Sequence, residues 1–210
     1  MLIRTTKSEI YEIPYRYENE YGKKTIGVFG DSFAGLAKDA KYLYDTFTHE
    51  SSWIYYLGVL SNSSIDAWGV TGGSENDLAF ILQKNELNYD YSLLIHTNPL
   101  RDVRITKNKI TDLYKALAII EGKTRDKKNV LHVFWNVEHE IYKFSHKKYF
   151  MDSILKNHPN PVEVGVNVTT RNSTVNKNDQ LGGSCHLSNR GNLLLAIEIN
   201  KHLFSNDESI

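Results

Sequence analysis

Apolar residues in this chain fall into short strand-like runs that alternate with longer stretches spaced at three and four. Thr25 to Phe29, Ser64 to Trp68, Tyr91 to Ile95, Val130 to Trp135 and Val162 to Val168 are runs of the first kind. They are too short for helices, and Thr25 to Phe29 has no polar alternation, as expected of a parallel strand buried on both sides. The stretches between them predict helices. Leu78, Ile81 and Leu82 mark one over 76 to 87, opened by Ser74 with Asp77 three residues on. Ile110, Leu113, Leu117 and Ile120 mark another over 107 to 120. Ser51 or Ser52 caps a helix over 53 to 60, and further helices are predicted over 36 to 47, 147 to 156 and 187 to 204. Glu121 to Lys128 and Thr169 to Ser184 are expected to be surface loops. The alternation predicts one α/β domain over 25 to 210, a five-stranded parallel sheet with helices on both faces. Residues 1 to 24 are polar and tyrosine-rich and form an N-terminal arm or an edge element.

Charge narrows the function classes. Lys+Arg and Asp+Glu both number 25, so the formal net charge is zero, and no basic face for nucleic acid or charged block for a membrane surface is expected. Cys185 is the single cysteine, which excludes an internal disulfide. The first ten residues lack the apolar core of a signal peptide and no run reaches membrane-spanning length. A soluble cytoplasmic protein is the expectation.

The candidate chemistry sits where strands end. The first strand stops at Gly30-Asp31-Ser32, the second at a glycine turn containing Gly72 and Gly73, and the third at His96-Thr97-Asn98-Pro99. His186 immediately precedes the last helix. In a doubly wound sheet these ends gather at one edge, where ligands bind. A serine, a histidine base, a glycine amide and an asparagine side chain are what acyl transfer needs: an activated nucleophile and donors aimed at the developing oxyanion. Simpler roles stay open for each. Asp31 and Ser32 fit a tight turn, Asn98 a turn before proline, and His186 a helix start.

Gly30-Asp31-Ser32-Phe33 resembles the first sequence block of the GDSL/SGNH hydrolases. Asp66-Ala-Trp-Gly69-Val-Thr-Gly72-Gly73 is similar to the second, His96-Thr97-Asn98-Pro99 to the third, and Cys185-His186-Leu187-Ser188 with Gly191 to the fifth. The blocks occur in the family's order and span nearly the whole chain. The resemblance implies a flavodoxin-like three-layer α/β/α sandwich and hydrolysis of acyl or acetyl esters of small molecules or glycans, without metal or other cofactor. It implies Ser32 as nucleophile and His186 as base, with the Ser32 amide, the Gly72 amide and the Asn98 side chain as the oxyanion hole.

The chain departs from that pattern in three places. Gly183 stands where the family carries its acid, leaving Asp179 or a backbone carbonyl to orient His186. His96 replaces a glycine and Pro99 an aspartate. Asp31, His96 and Arg101 are expected to line the substrate site, Arg101 as a partner for an anionic group or, alternatively, as a solvated loop residue. Cys185 is expected to be inert, and His132 and His139 with Glu138 and Glu140 match no metal-ligand spacing. The missing acid supports a second reading: a non-catalytic binding or structural protein of a larger assembly, for instance a viral particle, docking through the N-terminal arm.

Overall fold

The computed structural model describes residues 15–31, 33–34, 52–69, 73–96, 110–135, 156–158, 160–164, 187 and 189–204. Their elements are β1 (Tyr15–Tyr17), β2 (Lys24–Gly30), α1 (Trp53–Ser61), β3 (Ser63–Gly69), α2 (Glu75–Lys84), β4 (Tyr91–His96), α3 (Ile110–Thr124), β5 (Val130–Trp135), β6 (Val162–Val164) and α4 (Asn189–Phe204). The helix expected over 36 to 47, most of that over 147 to 156 and the polar loop over 169 to 184 lie outside the described residues.

The six strands form one sheet in the order β1-β3-β2-β4-β5-β6. The five expected strands, β2 to β6, are parallel, and β1 adds to the β3 edge antiparallel. The chain leaves β2 to one side for β3 and returns to the other side for β4. The strand order therefore reverses between β2 and β4, the flavodoxin-like switch point at which doubly wound sheets open a ligand crevice.

Two apolar clusters make the three layers. On one face Ile26, Val28, Ile65, Leu93, Ile95 and Val133 meet α1 and α4 through Trp53, Ile54, Leu57, Leu195 and Ile199. On the other, Phe29, Leu94, Val130 and Phe134 meet α2 and α3 through Leu78, Leu82, Leu113 and Leu117. Each of these large side chains contributes about 1.5–3 kcal/mol when fully buried. The sheet is thus covered on both sides, which explains the unbroken apolar runs of its central strands.

Part of the N-terminal segment is sheet. Tyr15, Arg16 and Tyr17 pair with Ala67, Asp66 and Ile65. Arg16 grips Asp66 with two bonds, Nε to Oδ1 at 2.7 Å and Nη2 to Oδ2 at 3.1 Å. Tyr17 meets Tyr55 edge-on and lies over Gly58, where a Cβ would run into the tyrosine ring. The end of α3 also differs from expectation. The helix continues through Glu121 to Thr124, held by the Thr124 hydroxyl donating to the Ile120 carbonyl and by an i,i+4 pair, Arg125 to Glu121 at 2.9 Å.

Candidate functional site at the sheet switch point

The carboxyl ends of β2 and β4 meet closely because Gly30 has no side chain. A Cβ there would lie 2.7 Å from the Ile95 Cβ and 2.8 Å from the Ile95 carbonyl oxygen. Asp31 follows, 2% exposed, and its carboxylate accepts from the Phe33 amide at 2.9 Å. The Ala34 amide donates to the Asp31 carbonyl at 3.0 Å. Asp31 therefore shapes the turn that carries Ser32. One carboxylate oxygen, Oδ1, is engaged inside the turn.

Two residues, Trp53 and Asn192, brace this turn from α1 and α4. The Trp53 indole Nε1 donates to the Phe33 carbonyl at 2.9 Å. The Trp53 amide donates to Asn192 Oδ1 at 3.3 Å, and Asn192 Nδ2 donates to the Leu187 carbonyl at 3.4 Å. Phe33 is the residue after Ser32 and Leu187 the residue after His186. A continuous path of buried hydrogen bonds thus joins the two neighbours, although they are far apart in sequence. Trp53 is 4% exposed, as is Asn192. The signal for Asn192 was present: it shares the helix stripe of Leu195, Ala196, Ile199 and Leu203, where an apolar residue would be expected.

The second strand end leads into α2. Ser74 opens the helix, its amide and hydroxyl both donating to Asp77 Oδ2, at 3.0 and 2.9 Å. This is the helix start that the Ser74–Asp77 spacing predicts. Glu75, Asn76 and Asp77 are all buried in the first turn, where the helix dipole favours acidic groups.

His96 ends β4 and is fully buried. Its Nδ1 lies 3.0 Å from Glu75 Oε2 and its Nε2 lies 2.7 Å from His132 Nδ1. The ring stacks on Phe134 at 4.7 Å. With both nitrogens engaged, His96 ties the start of α2 to β5. Burial, reinforced by His96 and His158, holds His132 well below its ordinary pKa of 6.5.

Ser32, Gly72, Asn98, Arg101, Asp179, Gly183 and His186 lie outside the described residues. What is described is the frame next to them in the chain: Asp31 and Phe33, Gly73, His96 and Leu187. Among the described residues no group of three or more His, Cys, Asp or Glu side chains is arranged to hold a metal ion, and no helix is long and apolar enough to cross a membrane. A cleft of about 320 Å³ lies at the amino ends of β2 and β3, lined by Arg16, Thr25, Ser64, Asp66 and Tyr89 among others. It is remote from the switch point; Arg16 pairs with Asp66 in its wall, and Glu18 and Glu20 complete an acidic lining.

No family model matches the chain, and no curated protein matches it by sequence. Solved structures do match. One is a carbohydrate acetylesterase family member from Sinorhizobium meliloti, 12% identical over 87% of this chain and 98% of that one, with a TM-score of 0.54. Another is a catalytic mutant of an acetylxylan esterase from Geobacillus stearothermophilus, 12% identical over 89% and 96%, with a TM-score of 0.55. A third is a member of the lipolytic G-D-S-L family from Veillonella parvula, 15% identical over 86% and 98%, with a TM-score of 0.50. The chain has the GDSL/SGNH fold. In the chain the first three blocks that resemble the family fall at the ends of β2, β3 and β4, and Leu187, two residues ahead of α4, belongs to the fifth.

Proposed function

We propose that this chain is a serine ester hydrolase that cleaves acyl or acetyl esters through an acyl-enzyme on Ser32, with His186 as general base. The observation that carries the reading is the switch point itself. Gly30, two residues ahead of Ser32 in the chain, packs against Ile95 near the end of β4, three residues ahead of Asn98, in a fold shared with esterases. The hydrogen-bonded path Phe33–Trp53–Asn192–Leu187, which ties the flanks of Ser32 and His186, adds support.

In this mechanism Ser32 Oγ attacks the ester carbonyl as His186 takes its proton. The oxyanion is received by the amides of Ser32 and Gly72 and by the Asn98 side chain. Collapse expels the alcohol, which takes the proton from His186. Water, deprotonated by His186, then releases the acid and regenerates Ser32. Asp179 or a backbone carbonyl orients His186 in place of the acid that Gly183 lacks. Arg101 would hold an anionic group of a small-molecule or glycan ester. No metal enters any step.

The test is hydrolysis of p-nitrophenyl acetate with and without Ser32→Ala. The proposal expects a burst of one p-nitrophenol per chain followed by slower turnover, and loss of both in the variant. Unchanged turnover in Ser32→Ala would overturn it. Gly183 favours a second reading, a non-catalytic binding or structural protein of a larger assembly. Its docking arm would have to lie outside Tyr15–Tyr17, which the sheet already uses.

A further inference from the structure

Three titratable side chains stand in a row beneath the switch point, and the proposed chemistry uses none of them. Glu75, His96 and His132 are each 0% exposed, and their contacts are 3.0 and 2.7 Å. Burying a carboxylate and two imidazoles is costly, and apolar packing of similar volume usually stabilises at least as well. Leu94, Phe134 and Leu78 on the same face show that such packing is at hand. A polar row in this position therefore supplies geometry.

We propose that Glu75, His96 and His132 form a positioning chain that fixes the turn ahead of α2 and the end of β4 relative to one another. Glu75 is the first residue of α2 and stands two residues after Gly73. His96 is the last residue of β4 and stands two residues before Asn98. On the reading of Gly72 and Asn98 as oxyanion donors, on which this inference rests, the chain sets the spacing between those donors. His132, from the next strand, completes it by fixing the His96 ring from its far side.

The row has a defined direction. Glu75 accepts from His96 Nδ1–H. His96 Nε2 then accepts from His132 Nδ1–H, leaving His132 Nε2 as a lone pair. That atom has no hydrogen-bond partner among the described residues. The opposite arrangement would leave a buried N–H without an acceptor, which folded proteins avoid more strictly than an unused lone pair. His158 sets its ring 4.7 Å from that of His132, tilted 51°, and its Nε2 lies 3.1 Å from the Thr124 carbonyl oxygen, to which it donates. His132 is thus neutral, single in tautomer and oriented from both sides.

Oxyanion donors act mainly in the transition state, so misplacing them lowers kcat and spares KM. A displacement of about 1 Å costs on the order of 100-fold. The experiment compares His132→Leu with His132→Asn, whose amide retains a donor near the Nδ1 position. Two quantities are read: kcat and KM for p-nitrophenyl acetate, and amide hydrogen exchange of residues 75 to 78 and 94 to 96. The expected result for His132→Leu is a fall in kcat of roughly 10- to 100-fold at a KM within about twofold. Exchange in both segments should quicken about tenfold in His132→Leu. His132→Asn should stay near wild type in both quantities. Equal impairment of the two variants, or wild-type exchange in His132→Leu, would overturn the proposal. If the wild-type protein hydrolyses no ester, the serine-hydrolase reading fails, and the exchange comparison still decides whether the chain positions the two segments.

Discussion

Replacing His132 by leucine should change how stability depends on pH more than it changes stability at neutral pH. Among the described residues wild type leaves His132 Nε2 without a partner, and the variant instead removes the His132 contact from His96 Nε2. Each such loss costs about 1–3 kcal/mol, so the two largely cancel and the variants should lie within about 1 kcal/mol at pH 7.5. The slope below that is different. In the folded protein His132 is held below its ordinary 6.5, first by burial and then by His96 and His158. As pH falls through 6.5 the unfolded chain takes up the proton and the folded one does not. Stability supplied by neutral His132 is therefore fully present above 6.5 and declines below it. One proton gives a slope approaching ~1.4 kcal/mol per pH unit. For a chain of this size that corresponds to roughly 3–5 °C in Tm per unit. The assay is urea unfolding followed by circular dichroism at pH 7.5, 6.5 and 5.5. Wild type should lose stability faster than His132→Leu below 6.5, and the two curves should converge or cross. Parallel curves would mean that His132 titrates normally in the folded state, which would refute the buried neutral chain.

Other perturbations separate frame from surface. Gly30→Ala should destabilise by about 1–3 kcal/mol in urea unfolding, because the added methyl overpacks Ile95 at the strand ends. Trp53→Phe keeps an aromatic ring but removes the buried hydrogen bond to the Phe33 carbonyl, and should cost about 0.5–1.5 kcal/mol and slow acylation of Ser32 measured by stopped flow. Arg16→Ala removes an ion pair whose arginine is more than half exposed, so the change in unfolding free energy should stay below about 1 kcal/mol.

The parts of the fold legible in the sequence were those set by burial. Val28-Phe29 and Leu93-Leu94-Ile95 are apolar on both faces because helices cover both faces, and their pattern says so directly. β1 was harder to read. Tyr15-Arg16-Tyr17 is three residues long, and what makes it a strand is Asp66, fifty positions away. The last turn of α3 was hidden because its charged residues bond one another along the helix and look like a solvated loop. At the site, the strand ends and the helix start at Ser74 were visible as local patterns. The bracing residues were not, since Trp53, Asn192, Glu75 and His132 act through partners that only the tertiary fold brings near. Glu75 and Asn192 gave one signal, a polar group on an apolar stripe. Glu75 precedes Leu78, Ala79 and Leu82 by three, four and seven positions, as Asn192 precedes Leu195, Ala196 and Ile199.

The central claim is an activated Ser32, and covalent labelling tests it most directly. Intact mass would be measured after incubation with a fluorophosphonate probe for wild type, Ser32→Ala and His186→Ala. The account predicts one adduct on wild type, mapped to Ser32, no adduct on Ser32→Ala, and labelling slowed at least 100-fold in His186→Ala, on the order of a lost general base. A folded wild-type protein that takes no label, or that is labelled equally well in Ser32→Ala, would contradict it.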